Sequence, residues 1–181
     1  ARPKSALPLM ALAEAYIAAK SFDAAAETVK KAQALAPDSA AVAHLAAKVD
    51  VRAGRPDQAL AKARALQART PKSADGWIIE GDVELDRRNW PAAVAVFRKA
   101  LQRQESPAVA QRLFAALRQT GDRAKAEAFA LDWLKRHPDD LAFLFSAAGQ
   151  AIDDKDYALA DSRLEQALRS ASVLMQAGAH M

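Results

Sequence analysis

No cysteine occurs in this chain, so it holds neither disulfide cross-links nor thiolate metal sites. That absence suits cytoplasm and periplasm alike. There is no run of about 18 apolar residues that would cross a bilayer. There is also no charged start with an apolar centre of the kind that marks a signal peptide. The chain begins at Ala1 rather than at Met, and the expectation is a fragment of a longer protein whose targeting segment lies elsewhere. Glycine (6) and proline (8) are scarce, and aromatics reach only 6%. Few helix breakers together with abundant alanine favour helix, because alanine loses least conformational freedom on entering one. The three histidines, His44, His137 and His180, lie far apart, and none pairs with a carboxylate at metal-ligand spacing. They read as solvated surface groups. No glycine-rich phosphate loop, GxSxG or HExxH is present. Asp139-Asp140 and Asp153-Asp154 fall at helix starts or turns, where they read as caps rather than acid–base couples. No catalytic residue, metal site or cofactor is expected, and the chain does not read as an enzyme.

What is present is a frame. Apolar residues make up 51% and charged residues 27% of 181, the balance of a folded chain; a net charge of +4 decides little. Ala25, Ala59, Ala93, Ala126 and Ala160 are spaced 34, 34, 33 and 34 apart. Pro37, Pro71 and Pro138 keep the same register, as do Phe22, Trp90 and Tyr157. The frame is clearest in Ala74 to Ser106, where Trp77, Gly81, Ala93, Phe97 and Ala100 mark two helices of similar length joined by a tight turn. This layout resembles the tetratricopeptide repeat, a helix–turn–helix unit of 34 residues. The resemblance covers five repeats, 6–39, 40–73, 74–106, 107–140 and 141–172, after a polar lead-in at 1–5. It implies an all-α, right-handed superhelical solenoid in which each unit touches its neighbours. The tail, 173–181, is too short for a further repeat and is expected to extend the last helix. Its closing GAHM resembles a cloning remnant as much as native sequence.

Local signals agree with that frame. Leu9, Leu12, Ala13 and Tyr16 give the i, i+3, i+4, i+7 spacing of a buried stripe on the first helix. Asp38 or Ser39 is placed to cap the helix of repeat two, and Ser106-Pro107 reads as a cap followed by proline at the first helical position. Gly54 supplies the left-handed residue that ends a helix, and Gly121-Asp122 makes the turn of repeat four. Repeat four departs from the pattern. Phe114 and Trp133 stand where small residues are usual, and Ala110 and Ala130 where large ones are, an exchange that conserves core volume. Trp77, Trp90, Trp133, Phe22, Phe97 and Tyr157 occupy packing positions, and Lys and Arg alternate with Asp and Glu. A nucleic-acid partner, which needs a basic groove with exposed aromatics, is therefore not expected.

In proteins that this sequence resembles, the first helices of successive units line a concave groove. Carried onto this chain residue by residue, that implies Met10, Glu14 and Ile17 in repeat one, and His44, Lys48 and Arg52 in repeat two. Repeat three adds Ile78, Asp82, Leu85 and Asp86, repeat four Gln111 and Arg118, and repeat five Phe145. The Lys and Asn that grip a terminal carboxylate in co-chaperone members are absent. Apolar Met10, Ile78 and Phe145 instead point to a peptide or helix of a protein partner. A charge step from Lys48 and Arg52 to Asp82 and Asp86 would orient it. The expected function is a protein–protein interaction scaffold. The Ala/Arg-rich repeats with PDS, PKS and PDD linkers are similar to bacterial envelope arrays serving exopolysaccharide secretion, including exosortase-associated lipoproteins, which favours periplasm or envelope over cytoplasm. The alternatives are a homo-oligomerising scaffold and an accessory domain of a larger enzyme or synthase.

Overall fold

The computed structural model describes residues 5–178. Among them every regular element is helical: α1 (Leu7–Ala18), α2 (Phe22–Leu35), α3 (Ala40–Arg52), α4 (Pro56–Arg69), α5 (Asp75–Asp86), α6 (Trp90–Arg103), α7 (Pro107–Gln119), α8 (Arg123–Arg136), α9 (Leu141–Asp153) and α10 (Tyr157–Gly178). Each sequence repeat holds one helix pair. The pairs gather into two compact units, one ending at Gln104 and the other beginning at Glu105.

Helix starts follow the local chemistry in part. The Ser39 hydroxyl accepts from Val42 N at 3.3 Å, and the Asp140 carboxylate from Phe143 N at 3.0 Å. Pro56 and Pro107 sit in first turns, where no amide donor is missed. Ser106 stands at the cap position of α7 but its side chain makes no capping bond. Asp154 falls at the turn that follows α9. It closes the C-terminal end of α9 and is held by Arg118 and Arg123.

The turn inside each pair repeats one backbone conformation. Lys20, Gly54, Arg88, Gly121 and Lys155 all have positive φ, between 58° and 81°, and they are spaced 34, 34, 33 and 34 apart. In four of the five turns the next amide reaches back five residues, as in Ser21 N to Tyr16 O (2.8 Å) and Asn89 N to Glu84 O (2.9 Å). This pairing satisfies carbonyls that the helix end would leave open. A side chain in this region costs about 1–2 kcal/mol, part of which glycine gives back as unfolded-state entropy. Glycine at Lys20, Arg88 or Lys155 should therefore raise stability by roughly 0.5–1 kcal/mol each. A higher denaturant midpoint with unchanged helical ellipticity is the expected reading, and a lower one at all three sites would refute it.

In the first unit, Ala13, Ala25, Val29 and Ala32 of the first pair form one core with Val42, Leu45, Ala46 and Val49 of α3. A second core joins Leu60, Ala63 and Leu66 of α4 to Ile79 and Val83 of α5. Close approach is built in. A Cβ on Gly76 would stand 2.8 Å from Ala63 O and the Gln67 backbone, and one on Gly81 2.5 Å from the Phe97 ring. Leu12 departs from the stripe expected of it and is 44% exposed.

In the second unit, Trp133, Phe114 and Phe143 are fully buried and pack ring against ring. Ala110 and Ala130 are buried beside them, so the size exchange in repeat four is realised. Tyr157 shares the register of half-buried Phe22 and Trp90 yet is 61% exposed. Nothing in the structure explains that difference.

Buried charge is always paired among the described residues. Asp50 accepts from Lys62 Nζ at 2.5 Å, Glu80 from Arg64 Nε at 3.0 Å and Gln67 Nε2 at 2.6 Å, and Glu84 from Asn89 Nδ2 at 2.9 Å. Arg163 donates to Ala147 O and to Glu127. Unpaired, each of these groups would cost several kcal/mol.

Candidate functional site

The first helices of the first unit, α1, α3 and α5, pack in sequence, and their polar residues meet across the two seams. Lys48 Nζ of α3 reaches both Glu14 carboxylate oxygens of α1, at 2.7 and 2.9 Å. His44 Nε2 of α3 lies 3.0 Å from Asp82 Oδ2 of α5. The apparent step from basic to acidic is therefore largely a pair of cross-helix contacts. His44 is not a free solvated histidine; it is fixed by a carboxylate one helix away.

Beyond those contacts a pocket of about 250 Å³ opens between α3 and α5. Ala47, Val51, Ile79 and Val83 form its apolar floor, while His44, Lys48 and Arg52 on one side face Asp82, Leu85 and Asp86 on the other. Six of the residues expected in the groove thus share one cavity. Arg52 and Asp86 are exposed at its rim. Met10 and Ile17 do not reach it; they are half-buried against the first core. Ile78 is also half-buried.

In the second unit the expected residues divide. Arg118 is largely buried and is bound to Asp154. That hydrogen bond, reinforced by the charges of Arg118 and Arg123, holds the Asp154 carboxyl below the usual carboxylate range and raises the Arg118 guanidinium. Arg118 is thus committed to joining α7 and α9. Gln111 is half-buried. Phe145 is 55% exposed on α9, with Ile152 two turns further on at 48%. Between them Gly149 has nothing within 4 Å of where a Cβ would stand. His137 is also not a free surface group. It stacks on Trp133 at 4.0 Å, and its Nε2 lies 3.2 Å from Glu105, whose carboxyl is lowered first by that contact and then by Arg136.

The pocket floor is what sequence reasoning passed over. Ala47, Ile79 and Val83 carry no chemistry and read only as core. The signal was available in the frame, since each stands beside a groove position on its helix. Among the described residues, no group of three or more His, Asp or Glu is placed to hold a metal ion. No helix there is long and apolar enough to cross a membrane.

Residues 44–110 match the family model described as tetratricopeptide repeat. No curated protein sequence matches the chain. Among solved structures, the thermophilic TPR protein TTC0263 of Thermus thermophilus is 18% identical, with a TM-score of 0.64 over 94% of this chain and 100% of that one. PilF of Pseudomonas aeruginosa is 17% identical with a TM-score of 0.62, covering 91% of this chain and 76% of its own. MamA is 16% identical with a TM-score of 0.59, covering 91% and 96%. At such identities the likeness is one of fold: an all-α helical repeat of the tetratricopeptide type.

Proposed function

We propose that this tetratricopeptide array is a non-catalytic scaffold whose first unit holds a short segment of a protein partner against α3 and α5. The observation that carries the reading is the cavity itself, where an apolar floor lies beneath a cationic edge at Arg52 and an anionic edge at Asp86. Such a site takes one apolar anchor side chain flanked by charges of both signs. The fold supports protein partners in general, since helical repeats present extended surfaces of this kind.

The partner segment is best sought in a bacterial envelope or polysaccharide secretion assembly, a placement that rests on the composition of the repeats and their PDS, PKS and PDD linkers. Fractionation of the source cell tests that placement: recovery in the cytosol alone would end it. The groove reading is tested by changing Arg52→Glu, Leu85→Ala and Asp86→Lys together and measuring capture of the partner. Loss of one anchor and both rim charges is expected to weaken binding by about tenfold or more, with the melting temperature little changed. Full capture by the folded triple variant would refute it.

A further inference from the structure

A second cavity of the first unit, about 360 Å³ in volume, opens between α2, α3 and α4, with Ile79 of α5 at its base. Each of these helices is packed between two others of the array. The floor is apolar, with Ala46, Ala63 and Leu66 buried in it. Gln33, Pro37, Ser39 and Arg69 stand around its sides.

The frame supplies the same site again thirty-four residues on. Gln33, Pro37, Ser39 and Arg69 recur as Gln67, Pro71, Ser73 and Arg103, but the place of Ala43 is taken by Trp77. That indole is covered by cations: the Arg103 guanidinium carbon lies 4.2 Å and Lys99 Nζ 5.1 Å from the ring centroid. Arg103 is steadied there by donating from Nε to Pro71 O at 3.2 Å. Repeat three thus closes its site with an indole of its own under a guanidinium. In repeat two a methyl group, that of Ala43, stands in place of the indole, and the space is open. Arg69, the counterpart of Arg103, makes no hydrogen bond or ion pair to any described residue. Lys62, the other charged residue on the lining, is bound to Asp50.

We infer that this cavity seats a tryptophan side chain from a segment of a protein partner, the indole lying against Ala43 under Arg69 as Trp77 lies under Arg103. An indole fills an apolar space, and its face attracts a guanidinium. Among the described residues no carboxylate lines the cavity, so acidic residues beside the tryptophan complement the free Arg69. The chain's own tryptophans are otherwise placed: Trp133 is fully buried, Trp77 is covered, and Trp90 is half-buried at the start of α6. The seat is independent of the pocket between α3 and α5, with which it shares only Ile79.

Methyl NMR of the full chain tests it, titrated with an acetylated pentapeptide that carries one tryptophan between acidic residues. Saturable shifts of the Ala43 and Ala65 methyls are expected, and the same peptide with leucine for tryptophan should bind about tenfold more weakly. Arg69→Ala should weaken the tryptophan peptide about two- to fivefold. Ala43→Trp places an indole in the cavity, so peptide binding should be lost while the melting temperature holds or rises. Should that variant lose helicity, Ala65→Glu takes its part: it lies at an exposed site, pairs with Arg69 one turn on, and should repel the acidic peptide. Absence of saturable shifts, or equal binding of the leucine peptide, overturns the inference. So does a folded Ala43→Trp or Ala65→Glu variant that binds as the wild type does. Shifts of the same methyls on raising the protein concentration without peptide would give the seat to a second copy and overturn the assignment to a partner.

Discussion

Replacing Trp133 by alanine is expected to destabilise the chain by about 3–5 kcal/mol, the range for removing a fully buried large side chain. Trp133 has no exposed surface and touches Phe129, Phe143 and His137 by ring contacts. Its Nε1 also donates to Asp140 Oδ2 at 2.9 Å, while Asp140 Oδ1 caps α9 at Phe143 N. The indole therefore fills the core and orients the residue that starts the next helix. Trp133→Phe separates these roles, because it restores much of the volume and leaves Asp140 without its indole donor. It should cost roughly 1–3 kcal/mol, the range for a buried polar group that loses its partner. Denaturant unfolding followed by helical ellipticity reads both variants. A Trp133→Ala midpoint equal to wild type would show that this core does not hold the second unit together.

The second large effect concerns Gly81 and Phe97. A methyl group on Gly81 would lie 2.5 Å from the ring of Phe97, which is itself fully buried. Gly81→Ala is thus expected to cost about 1–3 kcal/mol by overpacking, and Phe97→Ala about 3–5 kcal/mol by leaving a cavity. One repeat later the sizes are reversed: Phe114 occupies the place of Gly81 and Ala130 that of Phe97, both buried. The double variant Gly81→Phe with Phe97→Ala copies that arrangement. It should be clearly more stable than the sum of Gly81→Phe and Phe97→Ala made singly predicts, since contacting residues couple. Strict additivity of the three variants would mean that the two sites do not share one volume.

What the sequence made legible follows from what recurs. Alanine, proline and aromatic spacing gave the helix pairs, and the size exchange at Phe114 and Ala130 could be read because both positions have counterparts elsewhere in the chain. The positive φ at Lys20, Arg88 and Lys155 is invisible to residue type and visible only by carrying Gly54 and Gly121 through the frame. The contact of His44 with Asp82 was hidden for another reason. It joins residues 38 apart, a separation fixed by how α3 and α5 are offset rather than by the period. Leu12 reads as core by its spacing, since periodicity marks an apolar face without saying whether a neighbour covers it. Arg118 was assigned to the groove by its position, but an ion pair across to Asp154 at the end of α9 claims it.

The Glu80 contacts have a consequence for folding fidelity. Arrays of similar units are prone to misassembly, in which a helix docks against the wrong neighbour. At the position of Glu80, α3 carries Ala46 and α9 carries Ala147, which fit any apolar seat. Glu80 fits only where donors wait, as Arg64 and Gln67 do on α4. The matching places are Lys30 and Gln33 on α2, Arg98 and Leu101 on α6, and Leu131 and Leu134 on α8, so of these three only α8 would set the carboxylate against hydrocarbon alone. One buried acid thus makes docking of α5 on α8 cost several kcal/mol. Glu80→Ala would remove that penalty, so that chains with α5 misdocked on α8 accumulate on refolding.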